Sequence, residues 1–298
     1  MTVARGRPGE WGVDAPCLVG EVGTLIARLE AEGARASPPY DAVALGVDFP
    51  IGVPRAFAAL HAAEADFPAF LRGLAARPGF LSVCATLGEI GGGRPFYPAR
   101  GVRGVTRLSH ALALGLGGAA DLSRRCDRAT PLRPAGAPVF WTLGANQSGK
   151  AAIAAWRDLL LPALAGPRPP ALWPFDGPFL TLLGPGRTVV AETYPAEALR
   201  QLGLRMNGSK RRQADRAALA EPIAAAFASL GAAPSPAFAD ALKSGFGPDA
   251  AGEDRFDSVL GLSCVLRVLA GRQSGAAPND PAVRLWEGWV LGQDAYPP

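Results

Sequence analysis

Histidine is nearly absent from this 298-residue chain: His61 and His110 are the only two. A Ser-His-Asp triad or a histidine-built metal site has little to draw on, so acid–base chemistry falls to carboxylates. The four cysteines (17, 84, 126 and 264) stand apart, with no C-x-x-C pair and no histidine beside any of them. That spacing excludes the usual zinc sites and gives no disulfide framework. No apolar run reaches the ~18 uncharged residues of a membrane-spanning helix. Met1-Thr2-Val3-Ala4-Arg5 lacks the apolar stretch of a signal peptide. Charged residues are sparse at 19%, yet apolar residues reach 49%, which excludes intrinsic disorder. The expectation is a soluble, cytoplasmic protein.

Lysine is also scarce, 3 residues against 27 arginines, within a net charge of +4. Arginine binds carboxylate and phosphate through a planar fork of donors, which suits anionic partners. A GC-rich genome that favours Arg, Ala, Gly and Pro codons together accounts for the same bias. From Arg94 to Arg133 there are eight arginines and two acids, Asp121 and Asp127. Such a segment reads either as a contact for a phosphate backbone or as a solvated face.

Periodicity predicts a helix over 20–32, with Val22, Leu25, Ile26 and Leu29 on one face. A polar break at 33–41 leads into Ala42-Val43-Ala44-Leu45-Gly46-Val47, a strand expected to be buried on both faces. Helical spacing returns over 55–77. Residues 88–106, rich in Gly, Arg and Pro, read as a long loop of the kind that is functional or mobile. Helices are expected at about 107–126 and 150–164, with a strand at 138–142 between them. A second buried strand, Thr188-Val189-Val190-Ala191-Glu192, is followed by helices near 195–202, 209–230, 235–243, 254–270 and 281–291. Alternating strands and helices indicate an α/β sheet covered on both faces, with a helical C-terminal third.

Two acids end the two clearest strands. Asp48 and Glu192 each precede a Pro-bearing turn, and ligands of open α/β sheets sit at the carboxyl ends of strands. Such a residue serves either as an active-site group or as the cap of the next helix. Asp254-Arg255-Phe256-Asp257 opens a helix with two acids three residues apart, hence on one side. Behind them Gly261, Ser263 and Cys264 make a small-residue face suited to close packing on a sheet. Together Asp48, Glu192, Asp254 and Asp257 compose an all-oxygen set of the kind magnesium or manganese prefers. Two such ions clamp the attacking and leaving oxygens of a phosphodiester.

Cations accompany these acids. In Ser209-Lys210-Arg211-Arg212, with Arg216 following, Ser209 reads as a helix cap and the three cations as the first turn. A helix N-terminus already carries about half a positive charge, so a phosphate held there offsets the repulsion. Solvation of an exposed helix end offsets it as well. Gly144-Ala145-Asn146-Gln147-Ser148-Gly149-Lys150-Ala151 has the G-x-x-x-x-G-K spacing of a phosphate-binding loop, but Ala151 lacks the hydroxyl that holds magnesium. It reads either as a nucleotide loop or as a turn that brings Lys150 near the site. The tryptophans and both histidines read as core or surface residues, and Cys264 as a small hydrophobe.

With these pieces in order, the chain resembles a family of proteins predicted to be RNase-H-like nucleases (domain of unknown function 429). The matching stretches are Asp48-Phe49-Pro50-Ile51-Gly52-Val53-Pro54, Glu192-Thr193-Tyr194-Pro195, Ser209-Lys210-Arg211 with Arg216, and Asp254-Arg255-Phe256-Asp257. Trp173-Pro174-Phe175-Asp176-Gly177 and Glu287-Gly288-Trp289-Val290-Leu291-Gly292 look like a bacterial branch of it. The resemblance covers about residues 40–270 and implies an RNase-H-like sheet; the expectation is one such α/β domain over residues 1–298, a mixed sheet flanked by helices, with the insertion at about 88–135 as a lid. It implies strand-end carboxylates and a helix aspartate binding Mg²⁺ or Mn²⁺. The further expectation is that Lys210, Arg216, Lys150 and Arg212 meet substrate phosphates.

One departure stands out. The fold normally begins with a strand carrying the first metal-binding aspartate, and that first strand is missing here. Thr2-Val3-Ala4-Arg5 and Gly12-Val13-Asp14 read as the second and third strands, and Asp14 lies only 34 residues before Asp48. Either translation starts upstream of Met1 or the chain lacks a central ligand. The expected function is metal-dependent hydrolysis of nucleic acid. The alternatives are a catalytically impaired nucleic-acid-binding protein of the same fold and a nucleotide-binding enzyme using residues 144–151.

Overall fold

The computed structural model describes residues 1–36, 40, 42–131, 133–144 and 147–296. Part of the polar break at 33–41 and positions 145 and 146 of the glycine-rich loop lie outside the described residues. The chain starts with a hairpin, β1 (Ala4–Arg7) pairing antiparallel with β2 (Glu10–Val13) around Pro8-Gly9. Gly9 sits at φ +88°, a conformation that a side chain at the tip resists. Helix α1 (Leu25–Arg35) buries Leu25 and Ile26 and leads to β3 (Ala42–Val47).

After β3 come α2 (Arg55–His61) and α3 (Phe67–Gly73), the latter capped by Asp66, which accepts from the Ala69 amide at 2.8 Å. Helix α4 (Arg107–Ala113) is shorter than its periodicity suggested. Gly115, at φ +76°, ends it, and two further glycines at 117 and 118 keep it from resuming. Helix α5 (Ser148–Ala155) runs through a π turn (Trp156–Leu160) into α6 (Leu161–Leu164). The short strand β4 (Ala171–Leu172), α7 (Phe179–Leu182), β5 (Arg187–Glu192) and α8 (Pro195–Gln201) follow. Next are α9 (Gln213–Ala217), α10 (Ala220–Ser229), β6 (Ala232–Pro234), α11 (Pro236–Lys243) and the long α12 (Ala251–Leu269).

The strands form two separate three-stranded sheets, ordered β3-β5-β4 and β1-β2-β6. In the first, β3 and β5 run parallel in register from Ala42 opposite Arg187 to Val47 opposite Glu192. The hairpin forms where the sequence placed it, but it joins β6 instead of extending the first sheet. Trp11 and Val13 on β2 bury against α10, α11 and α12, so the hairpin has a core of its own. As a consequence β3 pairs on one side only. Its residues 42–46 are half-buried, not buried on both faces as expected.

Two more expectations are corrected. Residues 138–142 make no strand: Pro134 and Pro138 lack amide donors, and Trp141 meets Tyr97 through a single bridge. The helix expected at 281–291 is one turn (Val283–Glu287), ended by Gly288 at φ +67°. Val290 instead bridges Glu192 as a parallel neighbour of β5, and the Leu291 amide donates to the Glu192 carbonyl at 2.8 Å. Among the described residues no helix is long and apolar enough to cross a membrane. The fold is thus mixed α/β, small sheets flanked by helices.

Candidate functional site

The register of β3 and β5 brings Asp48 and Glu192 to the same end of the sheet. Helix α12 then crosses behind that end. The crossing is close because Gly46 and Gly261 both face Thr193: a Cβ on Gly46 would stand 2.9 Å from its methyl, and one on Gly261 3.1 Å from its hydroxyl. The small residues read from sequence as a packing face therefore deliver Asp254 and Asp257, from the first half of α12, to the strand ends. Ser263 and Cys264 are fully buried there, and burial pushes the Cys264 thiol up.

These acids act on one another through charge. Asp48 keeps access to water at the lip of the recess, yet the protein packed around it and the charge of Asp257 raise its carboxyl to about 7. Glu192 and Asp254 add to the rise and Lys210 opposes it. Asp257 is likewise raised, first by burial, with Lys210 working against and Glu253 and Asp254 adding to it. Lys210 Nζ donates to Asp257 Oδ2 at 2.5 Å and stands 3.8 Å from Glu253. Burial alone would lower its ammonium, but Asp257, Asp48 and Glu253 hold it above its ordinary value. Asp257 Oδ1 is buried without a hydrogen-bond partner.

Glu192 faces the other way. Its two oxygens accept from Arg124 Nη1 at 2.6 Å and Nη2 at 2.7 Å, and Oε2 also accepts from the Ile51 amide at 2.8 Å. Arg124 is completely buried and also clasps Asp127 through Nε and Nη2, both at 2.9 Å. Burial lifts the Glu192 carboxyl above its ordinary value against the pull of Arg124. The cluster continues to Glu287, which accepts from Arg55 Nε at 3.0 Å and from the Arg125 amide at 3.1 Å. The partners of Glu192 and Glu287 were missed in sequence because they are 68 to 232 residues away.

The cations divide. Arg216 is buried and donates to the carbonyls of Gly245 (2.9 Å), Gly247 (2.5 Å) and Lys210. It fixes the loop that presents Lys210, and none of its reach is left for a phosphate. Helix α9 begins at Gln213, so Lys210, Arg211 and Arg212 precede it instead of filling its first turn. Ser209 caps nothing; its amide donates to Asp215 at 2.8 Å, the acid that also holds Arg212 at 2.6 Å. A phosphate beside these cations would therefore not lie on the first turn of α9. Lys150 lies partly exposed on α5 with no side-chain partner among the described residues. In the 144–151 loop the Gly149 amide donates to the Trp141 carbonyl, and those of Lys150 and Ala151 donate to Gln147. These amides are not free to cradle a phosphate.

The Arg-rich segment is half interior. Arg124 and Arg133 are buried and Arg125 is drawn to Asp280 at 3.6 Å, while Arg100, Arg103 and Arg107 are exposed. The lid expectation narrows accordingly: Phe96 and Tyr97 are core residues, and Thr142 donates to the Pro98 carbonyl at 2.5 Å, which pins 95–99. His110 is buried, bonded to the Pro95 carbonyl at 2.7 Å, and burial lowers it to about 4.

The recess has the donor chemistry of a hard divalent cation: carboxylate oxygens only, one of them buried and unpartnered. Among the described residues no group of three or more His, Cys, Asp or Glu already stands in metal-holding geometry. Among the described residues Lys210 is the cation in contact with Asp257. Compared with models of known protein families, with curated proteins and with solved structures, the chain has no match in any of the three.

Proposed function

We propose that this chain is a metal-dependent phosphodiester hydrolase of RNase-H-like type acting on nucleic acid. The observation that carries the reading is the convergence of Asp48, Asp254 and Asp257 at the carboxyl end of parallel strands, with Lys210 paired to Asp257 and the Met1 ammonium drawn toward Asp254. Carboxylates crowded this way repel unless a cation joins them. Asp48, Asp254 and Asp257 are the residues that would hold Mg²⁺ or Mn²⁺. When bound, the ion lowers the pKa of water and offsets charge on the phosphoryl oxygens. Glu192 remains on Arg124 and, through the Ile51 amide, sets the turn that follows Asp48. Lys210, beside Asp257, is the residue that would offer a point charge to a substrate phosphate. Asp48, whose carboxyl is raised to about 7 without metal, would give up that proton on holding the ion, so occupancy would rise with pH.

The test is thermal unfolding with and without millimolar Mn²⁺, together with cleavage of end-labelled DNA and RNA. Binding to the native state alone adds RT ln(1 + [L]/Kd), about 2.7 kcal/mol at a hundredfold excess. Wild type gains stability and cleaves; Asp257→Asn does neither while keeping its far-UV circular dichroism. Full cleavage by Asp257→Asn would remove the assignment.

A second reading rests on a specific observation. Two of the four acids already hold a protein cation, Lys210 on Asp257 and Arg124 on Glu192. On that reading the chain binds nucleic acid without turnover, and its affinity falls steeply with salt.

A further inference from the structure

A cavity of about 700 Å³ opens beside α2, within the 300–1,000 Å³ range usual for small-molecule sites. Ala58 and Ala59 of α2, Ala62 just past its end and the partly buried Trp286 line it together with Asp121, Ser123 and Arg128. Two other charged residues at its edge are committed elsewhere. Arg55 is held by Glu287 and Asp280, and Glu64 by Arg77 at 2.6 Å. Arg128 and Asp121 are different. Neither side chain makes an ion pair or hydrogen bond among the described residues, and the Nε of Arg128 is buried with no partner. The pocket therefore offers a donor fork, an unfilled acceptor, and an apolar aromatic surface.

We propose that this cavity binds a nucleoside monophosphate. The phosphate sits on Arg128, whose fork matches its geometry, with the Ser123 hydroxyl as a second donor. The base lies against Trp286 and the alanines, since every base has a π-face to stack. Its edge donates to Asp121, and guanine, with two adjacent N–H groups, is the base that best fills a carboxylate. An anion without N–H donors leaves Asp121 unfilled, and a neutral nucleoside leaves Arg128 unfilled. Arg55 is seven positions after Asp48, so the near wall of the cavity is within about 25 Å of Asp48. The site involves no metal and does not depend on the hydrolase reading.

The test is calorimetric titration of the full chain with GMP in EDTA. Saturable binding is expected, with guanosine and inorganic phosphate each at least tenfold weaker. Arg128→Gln weakens GMP at least tenfold and leaves guanosine unchanged, while Asp121→Ala weakens both. Ala59→Leu, at an exposed position of the floor, fills the cavity and abolishes binding without touching the core; an unchanged unfolding midpoint confirms that it is folded. Asp257→Asn binds GMP as wild type does. No saturable GMP binding by the wild type overturns the proposal. So does binding that survives both Arg128→Gln and Ala59→Leu, or binding lost in Asp257→Asn, which would move the nucleotide to the carboxylates. Cleavage assays in Mn²⁺ report on the hydrolase reading separately.

Discussion

Replacing Arg124 with methionine keeps most of the buried stem and removes the charge. Five side-chain hydrogen bonds go with it: two to Asp127, two to Glu192 and one to the Glu287 carbonyl at 3.3 Å. Breaking a buried ion pair by deleting one partner costs about 3–5 kcal/mol, because the other charge stays buried and uncompensated. Here two carboxylates lose the same partner, which points to the upper end. At about 2–3 °C per kcal/mol for a chain this long, the unfolding midpoint falls by roughly 6–15 °C. The loss depends on pH, and its direction follows from Glu192. That carboxyl is already above its ordinary 4.5 in the native state, and without Arg124 it rises further. The native variant then keeps a proton that the unfolded chain releases, so the deficit is small near pH 5 and grows toward pH 8. Thermal and urea unfolding followed by circular dichroism at both pH values measures this. Adding Glu192→Gln to Arg124→Met recovers at least about 1 kcal/mol at pH 8, since the orphaned charge is gone. A loss below about 1 kcal/mol at pH 8, or no recovery in the double variant, refutes the reasoning.

Asp48→Asn carries a sign test: the raised carboxyl makes wild-type stability fall as pH climbs from about 4 through 7, so without metal the variant is the more stable protein at pH 8 and no more stable at pH 4. A variant less stable at pH 8 contradicts this. Arg216→Met orphans the carbonyls of Gly245, Lys210 and Gly247 and costs about 3 kcal/mol in urea unfolding; it also blunts any stabilisation by Mn²⁺, because the loop bearing Lys210 loses its strut. Gly46→Ala places a Cβ 2.8 Å from a Val265 methyl and 2.9 Å from that of Thr193, an overpacking worth about 1–3 kcal/mol, and a neutral result would mean that α12 is free to shift.

The strand-end acids were readable because each follows an unbroken apolar run whose length fixes where the strand stops. Asp257 was readable because spacing within one helix is local information. The glycines at 115 and 288 were visible too, but helical periodicity on either side of them outweighed the stop they signal. Glu192 could not be resolved from sequence. A carboxylate at a strand end looks the same whether it meets water, a cation or a buried arginine, and Arg124 sits 68 residues away in an Arg-rich stretch that reads as a phosphate contact or a solvated face. Arg216 misled for a related reason: a cation beside other cations suggests an anion, while carbonyls of residues 245 and 247, which occupy it, leave no mark in composition. The separation of the hairpin from β3 depends on pairing between residues more than 200 positions apart, Trp11 with Ala232, which no local pattern encodes.

The clasp of residues 287–291 on the end of β5 has a consequence during synthesis. Arg55 waits for Glu287, Arg124 for the Glu287 carbonyl, and Glu192 for Val290 and Leu291. At about 5–20 residues per second, the early segments emerge tens of seconds before their partners. Until then Arg55, Arg124 and Glu192 remain without the C-terminal clasp. Contacts this distant in sequence make closure of the site a late and slow event. Chain shortening that spares every carboxylate of the recess but removes residues past 286 leaves the nascent site open, and its expected fate is capture by chaperones or proteases before any chemistry begins.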